Sequence, residues 1–188
     1  MKRAHCPPGH TARMSGTALA AVIAALAAGS PAAVAPPREQ AVRWAVRQVG
    51  VHELGTTNCG RRVERWQRNA GWNLPPCRPW CGAFVHEAFL QAGVELRSAF
   101  LYPERVLDDA RAGRRGLHAI PVRRVRRGDL VIYRWPGSGN RADHFGIVTR
   151  AYRPRSGVVH TVEGNTGQAV RAQARPLRHV VTGVRISP

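Results

Sequence analysis

The sequence predicts an α+β fold in which N-terminal helices pack on an antiparallel β-sheet. Through the first half of the chain, apolar residues recur at intervals of three and four, the period of a helix with one buried face. In the second half the pattern changes to short apolar runs rich in Val and Ile, which read as strands. Gly, Pro, Asn and Ser separate those runs as turns, and helices followed by such strands make an α+β domain.

The elements follow in order. Ala41, Val42, Ala45, Val46 and Val49 give residues 38–48 helical spacing, and Gly50 stops that helix. Thr56, Thr57 and Asn58 offer caps for a second helix over residues 60–69, where Val63 and Trp66 stand three apart. Leu74-Pro75-Pro76-Cys77-Arg78-Pro79 is too rich in proline for regular structure. A third helix is expected over residues 80–92, with Phe84, Val85, Ala88 and Phe89 as its apolar face and Gly93 at its end. Residues 102–112 make a shorter fourth. The expected strands are residues 130–133, 145–148, 158–162 and 180–186.

Residues 1–35 read as an export signal. Lys2, Arg3 and Arg13 give a basic start, residues 17–28 are apolar and Ala-rich but too short to span a bilayer, and Ala33-Val34-Ala35 fits small-x-small cleavage. Residues 36–41 are then a linker and residues 42–188 one folded domain. Export implies a secreted or wall-associated protein in an oxidising compartment, with no transmembrane segment in the mature chain. A monomer is expected.

The net charge is +18, and Lys2 is the only lysine, so the positive charge is almost all arginine. Such a surface attracts polyanions: nucleic acid, anionic membrane or an acidic cell wall. The arginines are spread along the chain, and no helix-turn-helix, finger or RNP-like motif accompanies them. The charge therefore reads as surface affinity and not as recognition of a nucleic-acid sequence.

Cys6 leaves with the signal, and Cys59, Cys77 and Cys81 remain. Three cysteines suit one disulfide and one free thiol. Cys59–Cys77 leaves Cys81 free, whereas Cys77–Cys81 would mask it. No Cys/His spacing matches a structural zinc site, and no cofactor is expected.

Cys81 follows the proline-rich loop and opens the third helix. Backbone N–H groups at a helix start favour a thiolate, and the same donors suit the oxyanion of a tetrahedral intermediate. His144 opens a strand, and Gly146, on the same strand face, leaves space in which the Cys81 helix can approach. Glu163 ends the next strand. A hairpin turning around Arg153-Pro154 sets Glu163 directly across from His144, where a carboxylate orients the imidazole and favours its cationic form, with Asn165 bonding the same ring. A one-residue slip would turn Glu163 to the other face. A nucleophile, a base and orienting groups in the order Cys, His, Glu/Asn make the pattern of a cysteine hydrolase. His52, His86, His118, His160 and His179 read as structural or exposed.

Four blocks carry a family resemblance: Pro79-Trp80-Cys81-Gly82-Ala83-Phe84-Val85, Gly128-Asp129-Leu130-Val131, Asp143-His144-Phe145-Gly146-Ile147-Val148 and Glu163-Gly164-Asn165-Thr166. In this order they resemble the CHAP domain, the cysteine, histidine-dependent amidohydrolases/peptidases, and the likeness runs from about Val42 to Ile186. The resemblance implies a papain-like fold and cleavage of peptidoglycan, as an N-acetylmuramoyl-L-alanine amidase or a peptide endopeptidase. It puts Cys81, His144, Glu163 and Asn165 on catalytic positions. Trp80, Glu53 and Asn58 are expected to meet substrate, Trp80 by stacking on sugar rings as Trp135 also can. Peptidoglycan is the expected partner, with acidic wall polymers beside it. Trp80 stands where many relatives carry Gln, which opens the identity of the second oxyanion donor. The Asp-Cys-Ser-Gly nucleophile block of NlpC/P60 enzymes is absent. Two other readings fit the same residues: a non-catalytic wall-binding module, and an exported cysteine-hydrolase effector acting on another amide.

Overall fold

Proline fixes φ near the helical value and lacks an N–H that the first turn would leave unpaired, so it starts helices. It does so twice here, at α1 (Pro37–Arg47) and α4 (Pro103–Arg111). The computed structural model describes residues 34–96 and 102–187. The expected export signal, up to Ala33 and with Cys6, lies outside the described residues. α1 begins inside the stretch expected to be a linker, because Pro37 is preorganised for that position, and it buries Ala41, Val42 and Ala45. α2 (Arg61–Asn69) buries Val63, Trp66 and Gln67. No side chain of Thr56, Thr57 or Asn58 caps it. Instead Glu64 Oε1 accepts from the Gly60 N–H at 3.1 Å. α3 (Cys81–Leu90) is buried from Cys81 to Phe89, which is why its sequence is apolar nearly all round.

Six strands follow: β1 (Leu117–Ile120), β2 (Leu130–Tyr133), β3 (His144–Val148), β4 (Val158–Thr166), β5 (Ala169–Pro176) and β6 (Val180–Ile186). They form one sheet in the order β1-β6-β2-β3-β4-β5, with every pairing antiparallel. The α+β expectation therefore holds, and β1 and β5 are additions to it. α3 packs across β3 and β4. The main core joins Trp66, Trp80, Phe84 and Phe89 to Leu130, Ile132, Phe145, Ile147 and Val162. Each large side chain buried there contributes about 1.5–3 kcal/mol. A smaller cluster of Val125, Val131, Tyr133, Val148 and Val159 covers the opposite face. β2 and β3 are thus buried on both faces, and their sequences run apolar without alternation.

Cys59 and Cys77 form a disulfide across 18 residues, tying the approach to α2 to the proline loop before α3. Cys81 is free. Among the described residues no helix is long and apolar enough to cross a membrane.

Candidate active site

The proline loop stops α3 from extending backwards, so the helix starts at Cys81 itself. Its N-cap, Trp80, has φ −113° and ψ 16° and contributes no side-chain cap. The N–H groups of the first turn therefore remain available to an anion at the helix start. Cys81 is buried, with 6% of its surface exposed.

The indole of Trp80 does not meet solvent. It is fully buried beside Trp66, with ring centres 5.8 Å apart, and donates from Nε1 to Glu53 Oε2 at 2.8 Å. The expected stacking of Trp80 on a sugar is therefore corrected: the ring belongs to the core, and its N–H is spent on Glu53. Glu53 is itself buried. The two hold the loop before α2 to the start of α3.

The sheet receives α3 at a glycine, but at a different one from that expected. A Cβ on Gly164 would collide with Phe84 and lie 2.9 Å from Trp80 Cζ3. The space beside Gly146 is filled from its own sheet: a Cβ there would lie 2.7 Å from Glu163 Cγ and 2.9 Å from Thr161 Cβ. Strand pairing explains this. Ile147 faces Val162 and Val148 faces Thr161, two residues on from the expected register. Continued along the strands, this register sets Glu163 against Gly146 and not directly against His144. A slip of two residues keeps the same face, so the pairing of functional groups survives it.

Glu163 reaches His144 diagonally, with Nε2 and Oε2 3.1 Å apart. Thr166 Oγ1 lies 3.3 Å from the same Nε2 and donates to Glu163 Oε2 at 3.0 Å. Cys81 acts on the same imidazole and favours its charged form. The expected bond from Asn165 to the ring is replaced by that of Thr166. A register irregularity between Glu163 and Thr166 swings Asn165 to φ 60°, and its Nδ2 donates to Asn58 Oδ1 at 3.3 Å. Asn58 is also left-handed, at φ 58°, and its carbonyl accepts from Gln67 Nε2 at 2.7 Å. Asn58 and Asn165 thus brace each other across the two halves of the chain.

Glu163 is fully buried yet held as a carboxylate. Thr161 Oγ1 donates to Oε1 at 2.6 Å, and Tyr133 stands behind Thr161 at 3.2 Å. Arg175, on β5, donates from Nε to both oxygens at 3.1 Å and from Nη2 to Oε2 at 2.6 Å. Burial pushes the Glu163 pKa up, but the bonds from His144, Arg175 and Thr161 outweigh it and bring it down to about 2. Burial likewise disfavours the imidazolium, but the bonds and charges of Cys81 and Glu163 win and raise His144 to about 9. Burial raises the Tyr133 phenol well above its ordinary range, so it stays protonated. The ring of Tyr133 lies 6.1 Å from that of His144 at 21°, and Trp135 stacks on Tyr133 at 5.6 Å.

A cleft of about 490 Å³ opens over Cys81, lined by Trp72, Arg78, Pro79, Tyr102, Pro103 and Asp143. The carboxylate of Asp143 is tied down by the Trp135 backbone N–H and the Asn140 amide, which fixes the loop before β3. Among the described residues, one grouping has metal-ligand types at ligand spacing: Cys59, Glu64 and Cys77. Its two sulfurs are bonded to each other and supply no thiolate pair.

Sequence reading missed Thr161, Tyr133 and Arg175. Thr166 closes the Glu163-Gly164-Asn165-Thr166 block, but nothing in the sequence gives it a role. The bulge that turns Asn165 away and Thr166 inward leaves no mark in composition or period. Arg175 is one arginine among many on a strand that was not expected.

No family model matches the chain, and no curated protein matches it. Among solved structures it is similar to one described as similar to a lipoprotein of the NLP/P60 family, from Staphylococcus aureus, at 13% identity and a TM-score of 0.49. The likeness covers 85% of this chain and 45% of that one, so this chain spans under half of that protein's length, a relation too distant to assign a family.

Proposed function

We propose that the protein is an exported cysteine hydrolase that cleaves amide bonds of peptidoglycan, with Cys81 as nucleophile, His144 as base and Glu163 as the group that orients and charges the imidazole. The observation carrying this reading is a free Cys81 at the uncapped start of α3, acting on an imidazole that is itself bonded to the buried Glu163. A His raised to about 9 holds its proton at neutral pH, which suits an imidazolium beside a thiolate. The sulfur attacks the scissile carbonyl from the floor of the cleft, and the oxygen gains negative charge close to the first N–H groups of α3. The imidazolium then gives its proton to the leaving amine. Water, deprotonated by the now neutral imidazole, releases the acyl group from sulfur and restores the pair.

The wall as substrate rests on the resemblance of the four sequence blocks to CHAP domains, with the export signal as a second support. Asn58 and Asn165 act in this reading as braces of the site, and Trp80 and Glu53 as the seat of the nucleophile helix. The test is digestion of purified peptidoglycan with mass spectrometry of the fragments. Cys81→Ala and His144→Ala are expected to reduce release by about a hundredfold or more while circular dichroism is unchanged. Activity retained in either folded variant overturns the reading. A new amine on L-alanine identifies an amidase, and one within stem or bridge peptides an endopeptidase.

A further inference from the structure

We infer that Arg175 is a positioning residue that keeps Glu163 ionised inside the protein and so sets how far into acid the Cys81–His144 pair stays reactive. The inference rests on the reading of Cys81 as a thiolate nucleophile and adds a residue to its machinery. Glu163 has no exposed surface, and a carboxylate taken out of water reverts to its neutral acid unless it is paired and hydrogen-bonded. A neutral Glu163 neither attracts a proton onto His144 nor holds the ring by a charged bond.

The groups facing Glu163 come from every strand around it. His144 approaches from β3, Thr161 and Thr166 from β4, Tyr133 from β2 through Thr161, and Arg175 from β5. Cys81 acts through the imidazole. Of these, Arg175 alone carries a permanent positive charge. His144 cannot take its place, because its own charge depends on Glu163. Arg171, which faces Glu163 directly in the β4–β5 register, does not serve either: its guanidinium donates to the Thr166 and Gly167 carbonyls.

The guanidinium of Arg175 is fixed on its other side as well. It lies 5.1 Å from the ring centre of Trp135 and 6.0 Å from that of Tyr133. These two rings also flank His144, each 6.1 Å from it. Arg175 is thus held by a carboxylate and two aromatic faces, a geometry that suits a planar guanidinium better than an ammonium.

The test is the rate at which iodoacetamide carboxamidomethylates Cys81 between pH 3 and pH 10, in the native chain, Arg175→Met and Arg175→Lys, with folding checked by circular dichroism. In Arg175→Met the acid limb is expected to move up by about one pH unit or more, because Glu163 then takes a proton at higher pH. Arg175→Lys, which keeps the charge and loses the fork, is expected to lie between them and stays informative where the methionine variant does not fold. An acid limb left in place in a folded variant, or a loss of rate equal at every pH, overturns the role of Arg175. A native Cys81 that does not react at any pH overturns the thiolate reading itself.

Discussion

At the scale of single residues, the site depends on which groups are charged. His144 sits in a buried place that disfavours its cation, and Cys81 and Glu163 reverse that. Glu163→Gln keeps the size and a hydrogen bond but removes the charge. The basic limb of the pH–activity profile, near 9 in the native chain, is expected to move down by about one unit or more in that variant, measured by kcat/KM or by Cys81 alkylation. An unmoved limb would mean that Glu163 only shapes the pocket. The grouping of Cys81, His144 and Glu163 was readable because Cys81 and His144 each open an element and Glu163 follows an apolar run, although β4 continues past it to Thr166. The role of Thr166 was not, because it depends on one bulged residue. Trp80 was misjudged for a related reason: a Trp beside a nucleophile looks like a substrate platform, whereas burial and a carboxylate partner are visible only in three dimensions.

At the scale of elements, α3 and β4 meet through Gly164 with no space to spare. Gly164→Ala is expected to destabilise the protein by about 1–3 kcal/mol through overpacking and to slow Cys81 alkylation, because the helix must lift its first turn away from β3. Thermal melting and the alkylation rate measured on one sample check both effects. A variant with native melting and native reactivity would show that the seat tolerates a methyl group. The helices and the four apolar strands were readable because burial writes a period into the sequence. β5 was not, since Ala-Val-Arg-Ala-Gln-Ala-Arg-Pro mixes small and charged residues. It is an edge strand with its later half half-buried or exposed, so little burial constrains its composition. The hairpin register came out two residues from expectation because the loop between β3 and β4 lacks a short turn that would fix it.

At the scale of the whole molecule, the buried pair links the site to stability. Glu163 is lowered from 4.5 to about 2, so its contribution is present above 4.5 and lost as pH falls through 2. His144 is raised from 6.5 to about 9, so its contribution is present below 6.5 and lost as pH rises through 9. Both are in full force between 4.5 and 6.5. The native melting temperature is therefore expected to fall between pH 6.5 and pH 9 by more than that of His144→Ala, and equal slopes in the two proteins would contradict the linkage. The sheet has one further consequence for durability. β5 is the last strand on its side, and the segment around Val51 and Glu53 bonds to its first residues and to Gln168, well short of Arg175. On that side the outer half of the strand is held by β4 and by the grip of Arg175 on Glu163, so local opening there would break the Glu163 pairing while the helices stay packed. Under mild denaturant Cys81 alkylation is therefore expected to change before the circular dichroism does, and coincident transitions would show that the strand edge opens only with the whole domain.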